Sequence, residues 1–255
     1  MVDTALEAVL RRDRALVLTA LAALTALAWA YTAWLAQSMT MAVELHPWSG
    51  MTFALMFVMW TIMMIGMMLP SAAPMILIYA RVGRRAMAQG RPLAATGYFA
   101  TGYLLAWVVF SLAATLGQGA LQRSLLLSPM MMSASAVFSG LVLIAAGVFQ
   151  WTPFKNACLQ HCQSPLVFIQ RHGGFRREPR GSLAIGFRAG LYCVGCCWAL
   201  MALLFVVGVM NLVWIAALTV FVLAEKLVPA CWHLDHAAGL LLLAAGGWLA
   251  VSALG

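Results

Sequence analysis

Residues 51–79 read MTFALMFVMWTIMMIGMMLPSAAPMILIY, and this stretch decides the fold because it contains no charged side chain. A helix needs ~20 apolar residues to cross the hydrocarbon core of a bilayer, and this stretch exceeds that length. Comparable stretches recur along the chain of 255 residues, of which 64% are apolar and 9% are charged, with a mean hydropathy of +0.95. Such a composition is typical of a polytopic membrane protein.

We therefore predict an all-α fold, a transmembrane bundle of about seven helices in a single domain over residues 1–255, with six helices as the alternative. The predicted helices lie near residues 14–36, 51–79, 94–117, 132–150, 183–209, 211–228 and 238–254. The first one follows Arg11, Arg12 and Arg14 as in a signal peptide, but it is longer than a ~7–15-residue signal core, so we interpret it as an uncleaved anchor.

Basic residues predict the orientation, because short loops rich in Lys and Arg stay in the cytoplasm. They cluster before the first helix, between the second and the third, and in residues 151–182, which we predict to be a cytoplasmic loop. The cations of this loop are Lys155, Arg171, Arg176, Arg177 and Arg180. The prediction is a cytoplasmic N-terminus in a bacterial inner membrane. Loops of this kind account for the net charge of +8, which favours anionic lipid headgroups and not nucleic acid as partners.

The six cysteines are grouped. Cys158 and Cys162 are spaced i, i+4 behind Pro153, which is expected to open a short helix, and His161 is the neighbouring position. A second group contains Cys193, Cys196 and Cys197, and Cys231 lies close to His233 and His236. Each cysteine taken alone is typical of apolar packing, but the grouping on the predicted reducing side favours metal or redox chemistry over disulfides.

The triplet Cys193, Cys196 and Cys197 has the spacing i, i+3, i+4, which puts three thiols on one helix face. Gly195 between them would let a neighbouring group approach closely. Thiolates select soft ions such as Cu(I) or Zn(II), and a buried thiolate needs a cation to neutralise it. We therefore predict metal ligation by these cysteines together with Cys158, His161 and Cys162.

Methionines follow the second predicted helix as a stripe at Met56, Met59, Met63 and Met67, widened by Met64 and Met68. Such a stripe is typical of packing, but thioethers beside thiols favour copper over zinc, because zinc rarely takes methionine. Met63, Met64, Met67 and Met68 are thus candidate copper ligands. Pro70 and Pro74 are expected to kink or interrupt this helix and to free backbone carbonyls, which makes LPSAAP, residues 69–74, the predicted break.

Glu225 and Lys226 lie within the sixth predicted helix. Lys226 can extend to the interface, but the short side chain of Glu225 must pair, take a proton or bind a ligand there. We predict functional, catalytic roles for both. His233, Asp235 and His236 follow at the interface, where we interpret them as loop residues, with a supporting role or a metal entry site as alternatives.

Five motifs make the chain resemble the predicted metal-binding integral membrane proteins, a family long catalogued as a domain of unknown function. They are MMIGMMLPS at 63–71, CLQHC at 158–162, GLYCVGCCWALM at 190–201, GVMNLVW at 208–214 and EK at 225–226. The resemblance extends from about residue 50 to 230, and it implies a metal site shared among the second, fourth, fifth and sixth helices.

Three functions agree with these features. The first hypothesis is copper handling, meaning binding, transport or delivery to a metallochaperone, a metalloenzyme or a partner in a membrane complex. The second is a copper-dependent membrane oxidoreductase or oxygenase acting on a lipid-soluble substrate, and the third is an accessory subunit of a membrane complex. The sequence contains no P-loop, dinucleotide fingerprint, CxxCH or HExxH motif, which argues against ATP-driven pumping and zinc-dependent hydrolysis.

Overall fold

A computed structural model describes residues 2–41, 49–90, 93–124, 126–127, 133, 135–228 and 233–253, with side chains of the first helix described from Arg14 to Ser38. The described chain is almost entirely helical, as predicted. Its helices are α1 (Val2–Met41), α2 (Gly50–Ala88), α3 (Thr96–Arg123), α4 (Ala136–Gln150), α5 (Pro153–Gln163), α6 (Pro165–Arg171), α7 (Pro179–Ala202), α8 (Leu204–Val207), α9 (Leu212–Leu227) and α10 (Leu234–Ser252).

Within these ranges, five helical stretches are long and apolar enough to cross a membrane, and the count reaches six if α4 and α5, bent by 63°, form one span. All seven predicted segments contain a helix. The sixth of them is α9, which has only 16 residues and is short for a crossing by itself. The number of crossings, the single membrane domain and the orientation therefore stay predictions.

The predicted loop 151–182 begins with structure. Thr152 accepts a hydrogen bond from the Lys155 amide at 3.3 Å, and Pro153 occupies the first turn of α5, where its missing N–H costs nothing. This is the short helix expected from Pro153. Lys155, which was predicted as a cation of this loop, lies in α5. Its side chain is fully buried, and α5 packs on α7.

The predicted interruption at LPSAAP is also wrong, since α2 continues through Pro70 and Pro74. A proline leaves the carbonyl four residues earlier without its helical donor. For Pro70 that carbonyl belongs to Gly66, and the indole Nε1 of Trp29 donates to it at 3.2 Å. The freed carbonyl thus finds a partner in α1, as the sequence argument required, and the helix stays unbroken.

The helical path is interrupted elsewhere, between α7 and α9. Leu203 and Gly208 flank the single turn α8, and Gly208 adopts a φ of 100°, a conformation that favours glycine. Asn211 then begins α9 by accepting a hydrogen bond from the Trp214 amide at 3.4 Å. The break turns α9 back so that its last turn meets α2 and α5.

Helices α2 and α7 form the centre of the bundle. In the most apolar 18-residue segment of each, half of the residues are buried within the protein. The corresponding share is 17% for α1 and 11% for α10. Helix α3 packs closely along α7, because glycines face it: a Cβ on Gly190 would lie 2.7 Å from the carbonyl oxygen of Tyr103. This close approach brings Tyr103 to the cysteines one turn farther along α7.

Candidate metal centre

Helix α7 places three thiols on one buried face, as the spacing predicts. Cys193, Cys196 and Cys197 are 1%, 2% and 0% exposed. The thiols of Cys196 and Cys197 donate to the carbonyl oxygen of Cys193 at 3.1 and 2.9 Å. These local bonds satisfy both thiols without a partner from another helix.

Helix α5 brings a fourth thiol to this face. The Cys162 sulfur is close enough to Cys193 and Cys196 to interact with both, and Cys162 is the residue of this group whose surface is partly exposed. We call Cys162, Cys193, Cys196 and Cys197 the thiol cluster. The two cysteine groups of the sequence therefore meet in space, which their spacing along the chain did not establish.

Gly195 has the role expected of it. A Cβ at this position would lie 2.9 Å from the Cys158 sulfur, so a larger residue would push α5 away from α7. Cys158 is buried and interacts electrostatically with Cys196. It lies at the edge of the thiol cluster, against the backbone of α7.

The Cys193 sulfur has polar contacts with side chains of α3 and α9, in addition to Cys162 of α5. The Tyr103 hydroxyl of α3 lies 3.0 Å from its sulfur, and the Lys226 ammonium of α9 donates to the same sulfur at 2.9 Å. Lys226 also donates to the Ser71 hydroxyl of α2 at 2.7 Å. Since an ammonium beside a sulfur favours the thiolate form, Lys226 supplies a positive charge where a soft cation would need thiolates.

The neighbouring residue Glu225 belongs to a second polar centre. Lys155 of α5 donates to its carboxylate at 2.5 Å, and the two side chains are 3% and 0% exposed. Lys155 also donates to Gln150, and the Gln163 amide donates to the Glu225 carbonyl oxygen at 2.8 Å. Of the three alternatives predicted for Glu225, which were to pair, to take a proton or to bind a ligand, the structure shows pairing, and the partner is a residue that was assigned from the sequence to a loop.

Four of the remaining predicted ligands are methionines. Met63, Met64, Met67 and Met68 are all buried on α2, and the Met68 carbonyl oxygen accepts hydrogen bonds from Tyr103 and Ser71 at 3.2 and 2.8 Å. Met68 is thus linked to the thiol cluster by its backbone carbonyl oxygen, which contacts Tyr103 and Ser71. Ligation by the thioethers stays a prediction.

His161 is directed toward aromatic rings. Its imidazole stacks on Tyr192 with centroids 4.4 Å apart, and its Nδ1 lies 2.6 Å from the carbonyl oxygen of Ala157. Ligation by His161 also stays a prediction. Cys231 lies outside the described residues.

The site residues predicted from the sequence did not include Tyr103, Ser71 or Lys155. One signal was available for Lys155, because the chain has only two lysines, Lys155 and Lys226, among fifteen basic residues. Tyr103 and Ser71 carried no such signal, since their roles depend on how α3 packs against α7 and how α2 packs against α9.

Comparison with known proteins gives one family. A family model described as PpoB2, copper chaperone, matches residues 57–249, which include the thiol cluster, the Lys155–Glu225 pair and the buried methionines. No curated protein and no solved structure matches the chain.

Proposed function

The chain belongs to the PpoB2 copper chaperone family, and from this premise we propose that it binds Cu(I) at the thiol cluster inside a membrane and hands it to a copper-requiring partner. The convergence of α5 and α7 carries this proposal, because it joins Cys162 to Cys193 and Cys196. Neither α5 nor α7 alone would supply all four thiols of the cluster. Copper in this proposal is the cargo of the protein.

The donor set supports Cu(I) over a harder ion. Thiolates and thioethers select Cu(I), whereas oxygen ligands suit Mg²⁺ or Ca²⁺. Zinc also binds four cysteines, but the family description names copper. The four buried methionines of α2 are soft donors that zinc rarely uses.

The position of Lys226 supports a thiolate site in a place without water. Several thiolates around one Cu(I) have a net negative charge, which is unfavourable at low dielectric. Lys226 is only 8% exposed and contacts Cys193, so its charge offsets that excess. We propose this balancing role for Lys226 in place of a chemical step, and a structural pairing role for Glu225.

A route for transfer is suggested by the exposure of the cysteine residues. Cys162 is a partly exposed residue, whereas Cys193, Cys196 and Cys197 are buried. We propose that copper enters and leaves through Cys162, because a partner's thiolate can reach a ligand only where the cluster meets solvent. Ligand exchange of this kind needs neighbouring sites with similar donors, and the cluster supplies them.

Membrane location is proposed from the apolar surface. The outermost helix α10 exposes Leu241, Trp248 and Val251 by 72%, 76% and 74%, and apolar exposure of this extent favours lipid contact. The proposed surroundings are a bacterial inner membrane with anionic lipids, and the proposed partners are a metallochaperone, a metalloenzyme or a membrane complex.

The test is the Cu(I) content and affinity of the full chain purified in detergent, measured by competition with a chromogenic Cu(I) chelator. We expect the variant combining Cys196→Ser and Cys197→Ser to lose stoichiometric Cu(I) while keeping its helical circular dichroism. A Cys162→Ser variant should still bind Cu(I) but transfer it more slowly to an acceptor chelator, because Cys162 is the proposed exit.

Full Cu(I) occupancy in the double serine variant would overturn the thiol proposal. The same preparations discriminate the other two hypotheses drawn from the sequence. A copper oxidoreductase would consume oxygen with a quinone or hydrocarbon substrate, and an accessory subunit would contain no metal in either the wild-type or the variant protein.

A further inference from the structure

A second group of metal-binding side chains lies where α10 begins. His233, Asp235 and His236 each offer one donor atom, and these three atoms lie within 4.8 Å of one another. We propose that they form a second metal site, distinct from the thiol cluster, for a divalent cation of borderline softness such as Cu(II) or Zn(II). We call these three residues the histidine site.

Two features hold the histidine site in place. The indole Nε1 of Trp151, at the corner between α4 and α5, donates to the His236 carbonyl oxygen at 3.2 Å. A Cβ on Gly239 would lie 2.5 Å from the same nitrogen, so Gly239 permits this contact. The first turn of α10, which contains Asp235 and His236, is therefore held against Trp151 at the end of α4.

The histidine rings are arranged as ligands rather than as a stacked pair. The rings of His233 and His236 lie 5.2 Å apart at 90°, which keeps their edges accessible. The Asp235 carboxylate accepts from the backbone N–H of His236 and lies 2.9 Å from its ring Nδ1. Two ligand atoms that each lie ~2.0–2.2 Å from one ion can have such a separation, so Asp235 and His236 are placed to bind the same cation.

The donor chemistry separates this site from the thiol cluster. Two imidazoles and a carboxylate suit borderline divalent ions such as Cu(II), Ni(II) and Zn(II), whereas Cu(I) prefers sulfur. His233 and His236 are exposed and Asp235 is partly buried, so water can complete the coordination and ions can exchange.

Electrostatics connect the histidine site to the buried ion pair. Asp235 interacts with Lys155 and with Glu225. A divalent ion at Asp235 would therefore lie within electrostatic reach of the buried ion pair. The inference goes beyond the proposed function, because the histidine site can bind a divalent ion whether or not the cysteines bind Cu(I).

The test uses the full chain in detergent with an affinity tag free of histidine. Cu(II) is added under non-reducing conditions and followed by electron paramagnetic resonance, where imidazole ligands give nitrogen hyperfine splitting. The variant combines His233→Ala with His236→Ala. The matched control is His172→Ala, which removes an imidazole whose Nδ1 lies 2.8 Å from the Phe168 carbonyl oxygen on α6.

We expect stoichiometric Cu(II) with nitrogen hyperfine splitting in the wild type and in the control, and loss of that signal in the double variant. Asp235→Asn should weaken Cu(II) binding by about tenfold, or ~1.4 kcal/mol, because the amide oxygen carries no charge. Equal Cu(II) binding in the wild type and the double variant, or a signal without nitrogen splitting, would overturn the proposal.

Parallel Cu(I) competition keeps this result separate from the thiol proposal. The double histidine variant should keep its Cu(I) capacity, and Cys193→Ser should keep the Cu(II) signal. Loss of Cu(I) binding in every preparation, with the Cu(II) signal intact, would refute the thiol cluster and leave the histidine site standing.

Discussion

The two lysines of the chain are both buried, but their partners differ. Lys155 lies in α5 against a carboxylate, Glu225, at 2.5 Å. Lys226 is the next residue after that carboxylate, and it lies against the sulfur of Cys193 at 2.9 Å and the hydroxyl of Ser71 at 2.7 Å. Two consecutive residues of α9 thus differ in their partners. Glu225 is paired with a cation, whereas Lys226 is a cation hydrogen-bonded to a thiol and a hydroxyl.

This difference separates stability from binding. A buried ion pair is costly to split, because the remaining charge has no solvent. A lysine whose partners keep other hydrogen bonds can be removed at lower cost, since Ser71 keeps its bond to the Met68 carbonyl oxygen and Cys193 keeps its contact with Tyr103. We infer that Lys155 serves the fold and that Lys226 serves the charge of the loaded thiol cluster.

The largest effect should follow from Lys155→Met. We expect the free energy of unfolding to fall by about 3–5 kcal/mol, because Glu225 would remain buried without its cation. The measurement is denaturation of the purified chain in mixed detergent micelles, followed by circular dichroism.

The control is the double variant Lys155→Met with Glu225→Met. Replacing both members of a buried pair by apolar side chains is often neutral or stabilising, so this protein should regain most of the lost stability. If Lys155→Met alone were as stable as the wild type, the assignment of this pair to the fold would fail.

A smaller effect is expected for Lys226→Met, and it concerns Cu(I) affinity and not the free energy of unfolding. Cu(I) affinity should fall about tenfold, or ~1.4 kcal/mol, because the excess negative charge of the thiolates would lose its nearest cation. The stability of the metal-free protein should change much less than in Lys155→Met. Chelator competition and denaturation of the same samples measure both quantities. Unchanged Cu(I) affinity together with a large loss of stability would reverse the proposed roles of the two lysines.

Much of the fold follows from local patterns in the sequence. Apolar runs predict the helices, and the Cys193, Cys196 and Cys197 spacing places three thiols on one face because helix geometry alone fixes that relation. The short helix behind Pro153 also follows from local chemistry. These features need no knowledge of which helices are neighbours.

Features that depend on tertiary packing were not predictable in this way. Lys155 and Glu225 are 70 positions apart, and nothing local distinguishes a lysine that pairs with a buried carboxylate from one in a loop. Pro70 shows the same limit, because its effect on α2 depends on whether another helix supplies a donor, and Trp29 does so. The approach of Cys162 to Cys193 likewise depends on the bend between α4 and α5.

The smallest effect compares two buried tyrosines and tests whether neutral groups around Cys193 matter beside Lys226. The Tyr103 hydroxyl contacts the Cys193 sulfur at 3.0 Å and the Met68 carbonyl oxygen at 3.2 Å. The Tyr79 hydroxyl is buried with no hydrogen-bond partner among the described residues.

Tyr103→Phe should weaken Cu(I) binding about fivefold, since a hydrogen bond contributes ~1 kcal/mol. Tyr79→Phe removes the same atom and should leave Cu(I) affinity unchanged, because no bond is lost. Equal effects of the two substitutions on Cu(I) affinity would mean that Tyr103 acts only by filling space, and that the polar contribution at Cys193 comes from Lys226 alone.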